Sequence, residues 1–430
     1  MNKLLDSLRK TTLQERQLIN ISWLGFLIYT LSYTLVTTTL ANYIVCQILQ
    51  IIGLMLFLPS FFSIIKFRFE NRYLQLVFFL YLIWIAVIVV RGFHFNFEEI
   101  QFFLFNAWFG GILYLTPLFL LMPLKLVYLK KVFHVLIILA FFFVIYDIVF
   151  IRHIMSSQED NFLSQEMYEY FARTLAIPCF FLLMVYSYQS GKKKFFLIFI
   201  FLLTVFFALV RARRGLLFMC GLTAVLSYLL FLSKSRNKFF FVFLTIICGG
   251  ILFIFGLEFF ASHKLGIFSH IADRGLEDTR STVEICFYQD LSLKDWIIGK
   301  GMMGEYFCPG IDSNDVTGYR GTIETDYLQI ILKGGVISLS LFLLITIPAI
   351  FKGFFYSNNL LSKAAGMWIL LILLNMYPAN LDTFTMQYIL LWISVGICYS
   401  KAFRKIPDHL LMDYFKDDEM LTEISEDFQN

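Results

Sequence analysis

Residues 195–233 read FFLIFIFLLTVFFALVRARRGLLFMCGLTAVLSYLLFLS, which is two apolar runs joined by a short turn with three arginines. Neither run contains a charged residue. A helix of roughly 20 such residues crosses the ~30 Å hydrocarbon core of a bilayer. The stretch therefore predicts two neighbouring membrane-spanning helices with a basic turn between them.

The same pattern extends along the whole chain. Its 430 residues are 59% hydrophobic and 15% charged, whereas a soluble domain is about 25% charged. The short alternating segments of a membrane β-barrel are absent. We predict an all-α membrane protein of about 12 transmembrane helices. The predicted spans lie near residues 18–38, 40–63, 74–91, 101–123, 132–151, 174–190, 195–210, 216–233, 239–260, 335–355, 364–380 and 384–400.

Basic residues in alternate loops predict the orientation of these spans. Lysines and arginines concentrate in one set of loops, which includes 66–72, 125–131, 192–194 and 234–238. The positive-inside rule assigns that set to the cytoplasm. Both termini are then expected in the cytoplasm, and the first apolar run, Leu18–Thr37, is expected to be a retained span rather than a cleaved signal.

The spans divide the chain into four regions. Residues 1–260 hold predicted helices 1 to 9, and 261–334 form one long extracytoplasmic loop. Residues 335–400 hold helices 10 to 12, and 401–430 form a cytoplasmic tail. A loop much longer than the others in a compact protein is usually functional.

The basic turn contradicts the charge bias, because the alternation places it on the outer side. One explanation is an error of one span, which would make it an ordinary cytoplasmic loop. The other is an anion site formed by Arg211, Arg213 and Arg214, because guanidinium groups match phosphate oxygens. Gly215 opens the next helix, whose free N–H groups also favour an anion. A lipid-linked phosphate or diphosphate suits this position at the membrane surface.

The long loop contains further candidates. Arg280 and Arg320 are possible anion ligands, and Glu324 and Asp326 precede an apolar helix, where they are either caps or a catalytic base.

Three other patterns in the loop bear on metal, cofactor and disulfide sites. His263 and His270 match no metal-ligand spacing, so no metal is predicted. Residues 299–304 spell GxGxxG, but no strand–helix unit surrounds them, so no dinucleotide cofactor is predicted. Cys286 and Cys308 either pair, if the loop lies in an oxidising compartment, or remain thiols.

Together these features resemble the O-antigen polymerase and O-antigen ligase superfamily. The resemblance covers the whole chain and is carried by three short motifs in order. These are the Arg211–Gly215 turn, then Thr279-Arg280 followed by Trp296–Gly301, and finally the stretch from Glu324 to Gly335.

The resemblance implies a GT-C-like fold and a metal-independent, inverting glycosyltransferase of the bacterial plasma membrane. Donor and acceptor would be glycans on undecaprenyl diphosphate, with membrane lipid around them and a chain-length regulator as a possible partner; no cofactor and no nucleic acid is implied. Arg211, Arg213, Arg214 and Arg280 would bind the diphosphate, with Arg211 and Arg280 in catalytic roles. Glu324 would orient or deprotonate the acceptor hydroxyl, and Arg320 would contact the acceptor.

One departure separates the branches of that superfamily. Ligases have a histidine–asparagine pair where this chain has Glu324-Thr325, so the resemblance favours a polymerase over a ligase. Another membrane transferase and a flippase or transporter of the same lipid remain alternatives. A transporter is disfavoured because ionisable residues are rare inside the predicted spans.

Overall fold

The computed structural model describes residues 11–416, with gaps at 39–40, 94–95, 156–160, 212, 248–249, 251–279 and 311–316. The described chain is mostly helical. In chain order the α-helices are α1 (Leu13–Val36), α2 (Tyr43–Ile64), α3 (Arg72–Gly92), α4 (Phe97–Phe105), α5 (Leu126–Val149), α6 (Ile151–Ile154), α7 (Asn161–Phe171), α8 (Phe180–Met184), α9 (Gly191–Val210), α10 (Arg214–Lys234), α11 (Lys238–Ile247), α12 (Arg280–Asp290), α13 (Leu293–Ile298), α14 (Asp326–Phe355), α15 (Leu360–Asn375), α16 (Met386–Tyr399), α17 (Lys401–Lys405) and α18 (Asp408–Lys416).

Seven helices in the described part of the chain are long and apolar enough to cross a membrane: α1, α2, α3, α5, α9, α10 and α14. They coincide with seven of the predicted spans. An all-α fold of this kind is that of a multi-pass membrane protein. The count of twelve spans and the GT-C-like arrangement stay predictions.

Four of the other five predicted spans are shorter or interrupted, and the fifth, 239–260, is described only in part. Segment 101–123 is α4 followed by a 3-10 helix, Gly111–Leu121, that contains Pro117. Segment 174–190 is a series of short turns around Pro178. Each segment contains a proline, which lacks the N–H of a regular α-helix: Pro117 lies inside the 3-10 helix and Pro178 inside the 3-10 turn Ile177–Cys179. Helices α15 and α16 have 16 and 14 residues, and most of 248–260 lies outside the described residues.

Two apolar cores hold the described chain together. The larger runs through the helical bundle. The smaller lies between α12, α13 and the start of α14, with Phe287 at its centre. Strands β1 (Tyr306–Phe307) and β2 (Tyr319–Arg320) form an antiparallel hairpin beside it, with Tyr306 opposite Arg320.

Helix α14 breaks at Gly335, where φ is +69°. A Cβ at this position would lie 2.1 Å from the carbonyl oxygen of Ile297, so only glycine fits the contact with α13. The break lies at the glycine pair 334–335, and glycine pairs mark turns. It separates a short helical segment, which begins at Asp326, from the long apolar part of α14.

The loops of the two predicted sides meet at opposite ends of the bundle. Glu15 accepts from Lys66 and Lys125 at one end, and Lys234 pairs with Asp408. Helix α10 has 21 residues, so Lys234 lies about 30 Å from the Arg213 end at 1.5 Å per residue. Lys234 and the Arg213 turn thus lie at opposite ends of α10, while the alternation of the loops and the compartment that each end faces stay predictions.

Candidate functional site

The three arginines of the basic turn lie in three different environments. Arg211 ends α9 and its side chain is buried. Arg213 is the residue before α10 and is partly buried, and Arg214 is exposed. Burial, followed by the charge of Arg213, lowers the pKa of Arg211 below its ordinary value. The turn therefore holds three neighbouring positive charges that differ in burial, from buried Arg211 to exposed Arg214.

Glu169 joins this turn to a fourth arginine. Its Oε2 lies 3.0 Å from Arg213 Nη1, and its Oε1 accepts from Arg173 Nε at 2.7 Å. Burial raises the pKa of Glu169, but Arg173 and Arg213 outweigh it and hold that pKa below its ordinary value. Arg173 is nearly buried, and its guanidinium lies 5.8 Å from the centre of the Trp108 ring. One ionised carboxylate therefore orients two guanidinium groups from different segments.

Arg280, at the start of α12, reaches the same place from the long loop. Its Nε donates to Glu324 Oε2 at 2.9 Å, and its Nη2 donates to the Pro378 carbonyl at 2.7 Å. A Cβ on Gly215 would lie 3.7 Å from that carbonyl and 3.4 Å from Arg173 Nη2. The field of Arg280 also acts on Glu169. Arg173, Arg213, Arg280, Glu169 and Glu324 thus surround one point, and we name these five residues the arginine cluster.

The loop 376–385 forms the base of the arginine cluster. Asp326 is fully buried, and its Oδ2 accepts from the N–H groups of Leu381 and Asp382 at 2.8 and 2.7 Å. Asn380 Nδ2 donates to the Ile323 carbonyl at 2.8 Å. These bonds fix the carbonyls of Pro378 and Asn380, which accept from Arg280 and Arg173. Asp326 acts here as an anchor of the loop, beyond the role of a helix cap.

The structure brings some predicted site residues together and separates others. Glu324 contacts Arg280, and its side chain is 57% exposed. Arg213 and Arg280 belong to the arginine cluster, and buried Arg211 lies beside it. Arg214 points to solvent, and Arg320 lies on the hairpin next to Tyr306 and Cys308.

Sequence reasoning missed three participants: Glu169, Arg173 and the 376–385 loop. Arg173 did carry a signal, because it is a cation directly before an apolar run on the predicted outer side. Asp382 carried another, because carboxylates between two apolar helices are rare and usually functional. Nothing in the sequence predicts that Glu169 faces Arg213.

The glycines of the GxGxxG stretch have a packing role. Gly299 and Gly301 have φ of +69° and +87°. The N–H groups of Lys300 and Gly301 donate to the Leu332 and Lys333 carbonyls, at 2.7 and 3.0 Å. The loop therefore lies directly on the backbone of α14.

The chemistry that the arginine cluster can perform follows from its charge. The guanidinium groups of Arg173, Arg213 and Arg280 converge here on two carboxylates, Glu169 and Glu324. Several guanidinium forks that are partly shielded from water favour a multivalent anion such as a diphosphate. His263 and His270 lie outside the described residues, and no group of three potential metal ligands occurs among those described.

Comparison of the chain with protein-family models, with curated protein sequences and with solved structures finds no match.

Proposed function

We propose that the arginine cluster binds the diphosphate of a lipid-linked glycan and that this chain polymerises such glycans. The observation that carries the proposal is the convergence of Arg173, Arg213 and Arg280 on one point between α7, α10 and α12. The likeness to O-antigen polymerases rests only on the sequence motifs described above. The donor would be an oligosaccharide on undecaprenyl diphosphate, and the acceptor a second such unit.

The diphosphate would compete with Glu324 for Arg280. Arg280 donates one N–H to Glu324 and another to the Pro378 carbonyl. A diphosphate is a stronger partner, because its oxygens carry more charge and match the guanidinium fork. Its binding would release the Glu324 carboxylate, which is exposed enough to meet an acceptor hydroxyl.

The released carboxylate would serve as the base of a single displacement. The acceptor oxygen attacks the anomeric carbon and its proton goes to Glu324. The bond from that carbon to the diphosphate oxygen breaks, and the anomeric configuration inverts. The arginines stabilise the negative charge that develops on the departing diphosphate.

The test uses a deletion strain that expresses the protein or a variant, with the surface glycan resolved by length on a gel. We expect Arg280→Ala and Arg173→Ala to lower polymer formation by about 100-fold or more, which is typical for loss of a group that stabilises transition-state charge. Arg280→Lys should also be poor, because it keeps the charge and loses the fork. Arg236→Ala is the matched control, because Arg236 is exposed near the opposite end of α10.

The glycan profile also separates the alternatives. Single repeat units on their final carrier indicate a lost polymerase. Full-length polymer left on the undecaprenyl carrier indicates a ligase, and units held at the cytoplasmic face indicate a flippase. A normal ladder in Arg280→Ala and Arg173→Ala, with both proteins present in the membrane, would refute the proposed site.

A further inference from the structure

Two cysteines lie on adjacent elements next to the arginine cluster. Cys286 is in α12, the helix that begins at Arg280, and Cys308 follows β1 directly. Cys308 is 2% exposed and Cys286 is partly exposed. Both belong to the smaller apolar core.

Both cysteines lie on the faces of α12 and of the hairpin that meet in the smaller apolar core. Val283 and Phe287 are buried on one face of α12, and Cys286 lies on that face at i+3 from Val283. The Phe287 ring packs on the Tyr306 ring with 5.5 Å between centres.

Cys308 shares a face of the hairpin with Tyr306. Its N–H donates to the Gly318 carbonyl at 2.7 Å, so the pairing of the hairpin continues one residue past β1. Side chains two residues apart on an extended strand share a face. Cys308 therefore faces α12, as Tyr306 does.

The two cysteines are unbonded thiols in the same small apolar core. Burial, followed by the neighbouring Cys286 thiol, raises the pKa of Cys308 to about 11. Cysteines on packed, adjacent elements whose Cα atoms lie within about 7 Å can be joined without a large backbone rearrangement. In a buried apolar setting such neighbours would otherwise remain inert thiols.

We propose that Cys286 and Cys308 form a disulfide, made by exchange with the disulfide of a thiol oxidoreductase on the outer side of the membrane. The partly exposed Cys286 thiolate attacks the oxidoreductase disulfide and forms a mixed disulfide, which releases one of its thiols. The Cys308 sulfur then displaces the second thiol and closes the bond. Two protein thiols lose two electrons and two protons, and the oxidoreductase disulfide becomes a dithiol.

The bond would fasten the helix that carries Arg280 to the hairpin. The closed segment, 286–308, includes α13 and the glycine loop that lies on α14. Glu284, one turn along α12 from Arg280, accepts from Thr325 Oγ1 at 2.6 Å. The disulfide would therefore hold α12 in the position from which both contacts are made. The proposed disulfide depends on the predicted outer location of this loop and does not depend on glycosyl transfer.

The experiment counts free thiols on the full chain in its native membrane. Cells are quenched in acid, the protein is denatured, and a maleimide–polyethylene glycol reagent labels every free thiol before or after reduction. The chain has seven cysteines, so the disulfide predicts a gain of two labels on reduction. Cys308→Ser should show no gain, and Cys46→Ser, the matched control in α2, should keep the gain of two.

Two results would overturn the disulfide. One is the same label count on the natural chain before and after reduction. The other is a gain of two labels that persists in Cys308→Ser, which would assign the bond to other cysteines. Peptide mass spectrometry of the unreduced protein should find the Cys286 and Cys308 peptides joined. None of these readouts needs glycan synthesis, so the disulfide and the proposed function can fail separately.

Discussion

The two polar ends of the bundle use charged side chains in opposite ways. At one end carboxylates are central: Glu15 accepts from Lys66 and Lys125, and Asp408 pairs with Lys234. Asp408 also accepts from the Tyr188 hydroxyl at 2.7 Å and from the Leu360 N–H at 2.6 Å. These carboxylates tie together helix ends, and a structural role accounts for them.

At the other end guanidinium groups are central, and part of their hydrogen-bonding capacity goes to backbone carbonyls. Arg280 donates to Pro378, and Arg173 contacts the Asn380 carbonyl at the long distance of 3.5 Å. Two carboxylates, Glu169 and Glu324, pair with these guanidinium groups as well. The comparison teaches that net charge alone does not mark a site. The marker is the arrangement, in which guanidinium groups from distant segments of the chain converge.

Among the substitutions that test this contrast, Asp326→Ala should have the largest effect on stability and polymer formation. Asp326→Ala leaves the buried N–H groups of Leu381 and Asp382 without their acceptor, at a cost of about 1–3 kcal/mol for each. The 376–385 loop should then move and polymer formation should be lost. Asp326→Asn should be milder, because its amide oxygen can still accept. The measurements are thermal unfolding in detergent and the glycan ladder.

Asp413→Ala is the control for this experiment, since Asp413 is an exposed carboxylate at the opposite end. It should change neither readout. Wild-type stability and activity in Asp326→Ala would show that the loop does not depend on this carboxylate.

The second prediction compares Glu169→Gln with Asp408→Asn. Burial raises the pKa of both carboxylates, but Arg173 and Arg213 hold the pKa of Glu169 below its ordinary value. The Leu360 N–H, followed by Lys234, likewise holds the pKa of Asp408 below its ordinary value. Each therefore contributes stability that is complete above its unfolded pKa of about 4 and is lost as pH falls further. The thermal midpoint of the wild type should fall on acidification, and each variant should show a smaller fall.

Activity should separate the two variants. Glu169→Gln removes the charge that orients Arg173 and Arg213, and we expect polymer formation to fall about tenfold or more from misplaced groups. Asp408→Asn should keep activity once its lower stability is allowed for. Equal loss of activity in both would mean that the two ends are not functionally distinct.

Hydrophobic pattern predicted the bundle because spanning helices are specified locally. The seven long helices lie where continuous apolar runs occur, such as 195–210 and 216–233. The pattern was less informative at 174–190, where the composition is apolar but the chain forms a series of short helical turns. The break at Gly335 was predictable, because a glycine pair in an apolar helix is a strong local signal.

The arginine cluster was predictable only in part, because its contacts span long sequence separations. Arg280 and Glu324 are 44 residues apart, and Arg280 and Pro378 are 98 apart. Topology could place Arg213, Arg280 and Glu324 on one side of the membrane. Topology could not predict that Arg213 joins the arginine cluster while Arg214 is exposed, because adjacent residues at a helix start point in different directions. Arg173 and Glu169 required the fold itself.

The smallest effect is expected for the lysines that pair with Glu15, at the end of the bundle where carboxylates are central. Lys125 and Lys66 share Glu15, with N–O distances of 2.5 and 3.2 Å and side-chain exposures of 18% and 52%. Water screens the exposed pair more, so Lys66→Ala should cost about 0.5 kcal/mol or less and Lys125→Ala about 1 kcal/mol. Thermal midpoints of the two variants measure the difference, and both should retain a normal glycan ladder. If either substitution abolished the polymer, this end would take part in function, and the contrast between structural carboxylates and converging arginines would no longer hold.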